Sequence, residues 1–437
     1  MSLTTLESVQ KLQTALHAKA KGAPKFRFYS LYDKLYRADV LWAAHRRCLV
    51  NRGAAGVDGQ TFDDIETYGL KKWLDELAEE LRTKTYQPQP VRRVYIPKSD
   101  GKQRPLGIPS IKDRVVQMAA LIVWEPIFEA DLLPEQYAYR PDRSALDAVQ
   151  AVGQLLESGY TEVVDADLSG YFDSIPHAEL MQCVARRVSD AALLHLVKMW
   201  LVTPVEEKDA RGHVHRTTRN KDEGRGTPQG APISPLLANL YMRRFVLGWK
   251  TLGHQQQFRA RIVNYADDFV ICCHGTAESA AAAMRSMMHR LKLTVNETKT
   301  KLCRVPDETF DFLGYTFGRY YSPKTGRAYL CPVPAKKKIR KLCELIGEQT
   351  GRRFLPLDAA VVVERLNRRL RGWANYFSMG PVGKAYRAVN YYVNRRLRRW
   401  LCQKHKVPGE GRTRFPDDYL YHTLGLVRLV KRQHNSP

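Results

Sequence analysis

The chain has 437 residues, 44% hydrophobic and 26% charged, which is the composition of a soluble globular protein with room for two or three domains. Lys and Arg outnumber Asp and Glu by 70 to 45 and the pI is near 9.7, so a polyanion is the first partner to expect. Eight cysteines without a CxxC pair argue against zinc knuckles or a disulfide frame, and the polar N-terminus argues against export or a membrane span, so the expected location is cytoplasmic.

Residues 1–24 are polar and read as loosely ordered. Residues 30–50 carry Leu31, Leu35, Val40, Leu41 and Leu49 and read as one helix, which the glycine-rich stretch 51–59 ends. A second helix places Leu70, Trp73, Leu74, Leu77 and Leu81 on an ordinary core face. From Pro88 the pattern is extended: Val91, Val94 and Ile96 lead through a turn at 97–102 into residues 103–109, a basic β-hairpin bearing Lys98, Lys102 and Arg104. Arg114, in a helix that starts near Ile111, is expected to hold structure through a salt bridge.

In residues 161–173, Val163 and Val164 are followed by Asp165 and Asp167 at alternate positions, which puts both acids on one face of a strand. Acids are poor strand formers, and such a local conflict marks functional sites. Asp173 is read as the cap of the helix that follows Pro176. Residues 224–245 bring a Gly- and Pro-rich loop with Gln229 and Gly230 to the start of a helix that Pro232 opens. Residues 261–273 then place Ala266, Asp267 and Asp268 between two apolar β-prone runs, a hairpin with acids at its tip. Two adjacent carboxylates in apolar surroundings need a compensating cation, and a pair of divalent ions meets that need.

An alanine-rich helix over about 277–291 follows, then Lys299 in a polar segment and a strand at 310–317 that turns at 324–326 into a second strand. Residues 335–437 contain 24 Lys and Arg against 7 acids, +17 of the total +25, so this region is expected to meet nucleic acid. Two amphipathic helices lie there. One carries Leu366, Leu370 and Trp373 beside Arg368, Arg369 and Arg371; the other carries Val393, Leu397 and Trp400 with Arg395, Arg396, Arg398 and Arg399 turned away from the core.

Taken together, Tyr265-Ala266-Asp267-Asp268 resembles the YADD box of reverse transcriptases. IPKSDGKQRPLGIPSIKDRVVQ, DADLSGYFDSI, GTPQGAPISPLLANLYM and FDFLGYTF are similar to that family's other blocks, in order, and LNRRLRGWANYF resembles the maturase signature of bacterial group II intron-encoded proteins. The resemblance implies an α+β right-hand polymerase, its fingers and palm built on antiparallel sheet, followed by an α-helical thumb or maturase (X) domain. The implied divisions are a polar segment 1–29, an N-terminal extension and fingers 30–160, a palm 161–332, a thumb 333–405 and a basic DNA-binding tail 406–437.

It further implies that Asp167, Asp267 and Asp268 bind two Mg²⁺ ions, with Mn²⁺ as a substitute and the Leu168 carbonyl as a further ligand. Lys98 and Arg104 would neutralise the triphosphate, Gln229 and Gly230 would line the nucleotide pocket, Phe172 would exclude a 2′-hydroxyl, and Lys299 would lie near the phosphates. The implied partners are group II intron RNA, an RNA template with DNA primer, target DNA and deoxynucleoside triphosphates. The implied function is RNA-directed DNA synthesis together with assistance to intron splicing and mobility, in a form without an HNH endonuclease. Two alternatives stand beside it: a domesticated reverse transcriptase in defence or repair, and an RNA-binding maturase with little polymerase activity.

Overall fold

Short β-prone runs alternating with amphipathic helices give a mixed fold. The computed structural model describes residues 3–97, 101, 103–209, 211–322 and 325–430. Its strands are β1 (Val91–Pro97), β2 (Gln103–Ile108), β3 (Glu162–Asp167), β4 (Val205–Lys208), β5 (Val214–Thr217), β6 (Ala260–Tyr265), β7 (Asp268–Cys273), β8 (Lys301–Arg304), β9 (Phe310–Phe312), β10 (Tyr315–Tyr321) and β11 (Ala328–Pro334). They form three sheets, ordered β2-β1-β4-β5, β6-β7-β3-β8 and β11-β10-β9. The basic hairpin β1–β2 is antiparallel, running from Arg92 opposite Ile108 to Pro97 opposite Gln103. β3 pairs antiparallel with β8, Glu162 opposite Arg304 and Asp165 opposite Lys301.

The chain divides into two compact units, and two of the dividing positions fall within β3 and β7. The first comprises residues 1–144, 166–269 and 278–300. Its central element is the helix Ile111–Glu129, apolar nearly all round and therefore buried, with Ile111, Val115, Ala119, Val123, Trp124 and Phe128 fully enclosed. Among the described residues Arg114 has no salt-bridge partner; its guanidinium donates to the Ala54 carbonyl at 2.7 Å and lies over the Phe62 ring, so it fastens the glycine-rich loop.

The N-terminal segment is ordered, contrary to the sequence reading. Leu3–Gly22 is a helix whose Val9, Leu16 and Ala20 are buried, too sparse a set to show as a periodic stripe. Gln13 and Arg187 are among the side chains that tie it down. Pro126 has no amide to give the Ile122 carbonyl one turn back, and Gln13 Nε2 donates to that oxygen at 2.9 Å instead. At its other end the fully buried Arg187 donates to the carbonyls of Ala20 at 2.7 Å and Ala23 at 3.1 Å, a cation satisfying a helix C-terminus. The single helix expected over 30–50 is two, Tyr32–Leu35 and Ala38–Val50: the chain turns extended at Arg37, with φ −63° and ψ 135°, while Asp190 takes the amides of Leu31 and Tyr32, each at 2.8 Å, at the start of the first.

The second unit comprises residues 145–165, 270–277 and 301–437. Here the helices Lys336–Gln349, Ala359–Tyr376 and Gly383–Lys404 share a core of Ile346, Leu366, Leu370, Val389, Val393, Leu397 and Trp400. Phe415, Leu420, Leu426 and Leu429 belong to the same core. Asn367 clasps the backbone of Gly425 and Val427 at 2.8 and 2.7 Å, and Asn390 clasps both polar groups of Leu429 at 2.9 and 3.0 Å. Residues 415–429 are thus an integral layer of this helical unit, where the sequence reading draws a separate tail from 406. No helix among the described residues is long and apolar enough to cross a membrane.

Candidate active site

β3 buries Val163, Val164 and Ala166 and leaves Asp165 and Asp167 half-buried, so the strand carries its acids to an edge of the core. Just beyond, the chain is clamped: Ser169 N donates to Thr294 O at 2.9 Å and Asn296 N to Asp167 O at 2.8 Å, with Leu168 and Val295 bridged between them. The same clamp supplies partners to the carboxylate. Asn296 Nδ2 lies 3.0 Å and Lys299 Nζ 3.1 Å from Asp167 Oδ2.

The other two acids follow from the link between β6 and β7. Ala266 has φ 59°, a left-handed conformation that costs an L-residue roughly 1–2 kcal/mol and is met at turns and strained functional sites. Asn264 Nδ2 donates to Ala266 O at 2.8 Å and holds the turn in that shape. Asp267 and Asp268 are half-buried there, and β7, which opens with Asp268, neighbours the strand that ends with Asp167. Asp267 also acts on two phenols: burial raises Tyr171 well above its ordinary value with help from Tyr241 and Asp267, and burial and Asp267 together raise Tyr139.

Among the described residues no three His, Cys, Asp or Glu side chains form a ready-made metal cage. The donor set nevertheless fits a hard divalent cation of the Mg²⁺ kind, which is held by one or two carboxylates with waters and substrate phosphates and seldom by an all-protein shell. Asp167 Oδ2 already has a cation, the Lys299 ammonium, as its partner.

The basic hairpin meets the glycine loop. Gly107 N donates to Gln229 O at 2.6 Å, and a Cβ on Gly230, whose φ is 113°, would stand 2.7 Å from Gly107 O, so only glycine fits. Arg104 Nε donates to Gln229 Oε1 at 3.2 Å, and Gln229 Nε2 donates to Asp173 Oδ2 at 3.3 Å. Asp173 is therefore no helix cap: the helix His177–Ala185 starts after Pro176 without a side-chain cap, and burial pushes the Asp173 carboxyl above its usual range against the pull of Arg93, Arg219 and Gln229. Similarly, the helix expected to open at Pro232 opens at Ser234, with Pro235 in its first turn. Phe172 is buried and its carbonyl accepts from Thr227 N at 2.8 Å, which fixes the backbone beneath the ring. Lys98 lies outside the described residues.

Residues 96–317 match the reverse transcriptase (RNA-dependent DNA polymerase) family, and residues 338–419 match the maturase-specific domain of group II introns. The chain belongs to the group II intron-encoded reverse transcriptases. It is 34% identical over 366 residues to protein YkfC of Escherichia coli, covering 75% of this chain and 93% of that protein. It is 25% identical over 465 residues to the group II intron-encoded protein LtrA of Lactococcus lactis, covering 87% of this chain and 75% of LtrA. A 91 kDa protein in the cob intron of Schizosaccharomyces pombe matches at 24% over 418 residues, 79% of this chain and 50% of that one. This reverse transcriptase is accordingly an RNA-directed DNA polymerase with a maturase role in group II intron splicing and mobility. Enzymes of its family use divalent metal ions and act on nucleic acid, intron RNA included.

In the maturase-specific region the arginines split into two sets. Arg369, Arg371, Arg395 and Arg399 are exposed, as is Arg368, which pairs with Glu364 at 2.9 Å. Arg396 and Arg398 are not turned away from the fold. Arg396 donates to Thr350 Oγ1 at 3.0 Å and Gly347 O at 2.8 Å, and Arg398 donates to Phe415 O at 2.8 Å and pairs with Asp417. Sequence reasoning also passed over Asn264 and Asn296. An asparagine within the apolar run of a strand, as at 264, is a signal of its own, because a buried amide needs partners.

Proposed function

We propose that the reverse transcriptase extends a DNA primer on intron RNA with Asp167, Asp267 and Asp268 as its catalytic carboxylates, holding two Mg²⁺ ions for which Mn²⁺ can substitute. The observation that carries this reading is the strained Tyr265-Ala266-Asp267-Asp268 turn, propped by Asn264, on the strand next to the one ending in Asp167. When bound, the ions would lower the pKa of the primer 3′-hydroxyl and neutralise charge on the triphosphate. Asn296 and Lys299 orient the Asp167 carboxylate, and Lys299 is long enough to turn from it to a phosphate. Arg104, held by Gln229, supplies positive charge where the triphosphate enters, and Lys98 adds to it. Gln229 and Gly230 form a wall that admits a base pair closely because residue 230 has no side chain. Phe172 stands at the position that would meet a 2′-hydroxyl, and the Leu168 carbonyl is a further oxygen ligand.

In this reading the exposed Arg368, Arg369, Arg371, Arg395 and Arg399 take the phosphates of intron RNA or target DNA, contacts that position a nucleic acid without reading its sequence. The test is primer extension on an RNA template with deoxynucleotides and Mg²⁺, comparing the protein with Asp267→Asn. Template-dependent cDNA from the former alone is the expected result, and equal synthesis by both would remove the turn from the mechanism.

A further inference from the structure

A groove of about 1260 Å³ is lined by the helix Gly383–Lys404 on one side and by residues 409–428 on the other, and its lining carries six arginines and three acids. Two of the acids are already neutralised, Asp417 by Arg398 and Glu410 by Arg412 at 2.9 Å. Along the helix wall Arg387, Tyr391, Arg395 and Arg399 follow at intervals of four residues, each step about one turn or roughly 6 Å. All four are exposed, and among the described residues the three arginines have no hydrogen-bond or salt-bridge partner.

Tyr391 is the feature that ordinary packing leaves unexplained. It is 66% exposed, and among the described residues its ring meets no other ring and its hydroxyl has no partner. A tyrosine so placed adds little to the core, but with a guanidinium one turn to either side it offers a flat apolar face next to positive charge. Nucleic-acid bases stack on such a face, and only unpaired ones can, since a duplex keeps its base faces covered. The groove's two amide side chains, which could read a base edge, are spent on the fold: Asn390 on Leu429, and Asn394 on the Tyr421 hydroxyl, which it meets at 2.8 and 3.0 Å. What remains holds a ring and a phosphate chain without reading sequence.

We propose that this groove holds an unpaired stretch of RNA, a base stacked on Tyr391 and the flanking phosphates on Arg387, Arg395 and Arg399. RNA is the occupant because most of the groove falls within residues 338–419, which match the maturase-specific domain. The inference rests on the reading that the exposed arginines take phosphates. It is tested on the full chain, with the polymerase site filled by excess unlabelled RNA template and DNA primer. Fluorescence anisotropy then follows labelled oligouridine, the same strand annealed to oligoadenosine, and oligodeoxyuridine.

Tyr391→Ala should weaken oligouridine binding about tenfold, the size of one lost base–aromatic stack, and leave duplex binding within about twofold. Tyr391→Phe keeps the ring and should bind oligouridine within about twofold of the unaltered chain. Arg395→Ala combined with Arg399→Ala should weaken it about tenfold or more and reduce the slope of log affinity against log salt by about 1.4. Unchanged binding in Tyr391→Ala while the arginine variant loses affinity overturns this inference alone, as does an equal loss of duplex and single strand in Tyr391→Ala. A loss in Tyr391→Phe as large as in Tyr391→Ala overturns the stacking contact. Tighter binding of oligodeoxyuridine than of oligouridine overturns the choice of RNA. Unchanged binding in the arginine variant overturns the phosphate reading and this inference with it.

Discussion

The acid turn and the arginine-rich helix Gly383–Lys404 show two different relations between a motif and its use. At the turn, a strand end, a left-handed Ala266 and the Asn264 prop set the positions of the carboxylates, and Asn296 and Lys299 arrive from more than a hundred residues away to orient Asp167. Along the helix, four arginines of one short run divide: Arg395 and Arg399 stay exposed while Arg396 and Arg398 reach carbonyls of Gly347 and Phe415. Backbone geometry leaves a short acid little choice of direction. A long guanidinium stem can serve solvent, phosphate or the fold itself, and which it serves depends on what packs beside it.

The largest effect that could break this contrast is at the turn. Asp267→Ala or Asp268→Ala should lower RNA-templated extension at least about a thousandfold, since metal-borne charge stabilisation is worth several kcal/mol, while intron RNA affinity in a filter-binding titration stays within a few-fold. Equal loss of both would mean that the acids serve the fold, as Arg396 and Arg398 do. Next in size, Phe172→Val should reduce discrimination against ribonucleotides about tenfold or more, measured as the ratio of kcat/KM for the two sugars; a constant ratio would take Phe172 out of the pocket.

On the helix the expected effects are smaller and of opposite kinds. Arg398→Ala should lower unfolding free energy by about 1–3 kcal/mol in a urea titration, because it leaves the Phe415 carbonyl without its donor, whereas Arg399→Ala should leave stability within about 0.5 kcal/mol. Conversely, Arg399→Ala should weaken RNA binding by less than about tenfold and reduce the slope of log affinity against log salt by about one. If Arg398→Ala lost salt slope and kept its stability, the division of the arginines would be reversed.

The hairpin β1–β2, the strand of Asp167, the acid turn and the glycine at 230 were all legible in sequence, because alternation, turn chemistry and the lack of a side chain act over a few residues. Less legible were features settled by distant partners. Asp173 holds Gln229 and caps nothing, and Arg114 holds a loop carbonyl where a salt bridge was expected.

Sequence by itself therefore determined the basic hairpin, the strand and the turn that carry the acids, and the order of the family's motifs. Tertiary structure decided the rest: that Leu3–Gly22 is ordered by Gln13 and Arg187, that residues 415–429 complete a helical core, and which arginines remain for a ligand. The reason is one of range. Periodicity and φ preferences are written in adjacent residues, whereas the partner of a polar side chain is whichever oxygen or amide the packed chain brings within about 3 Å.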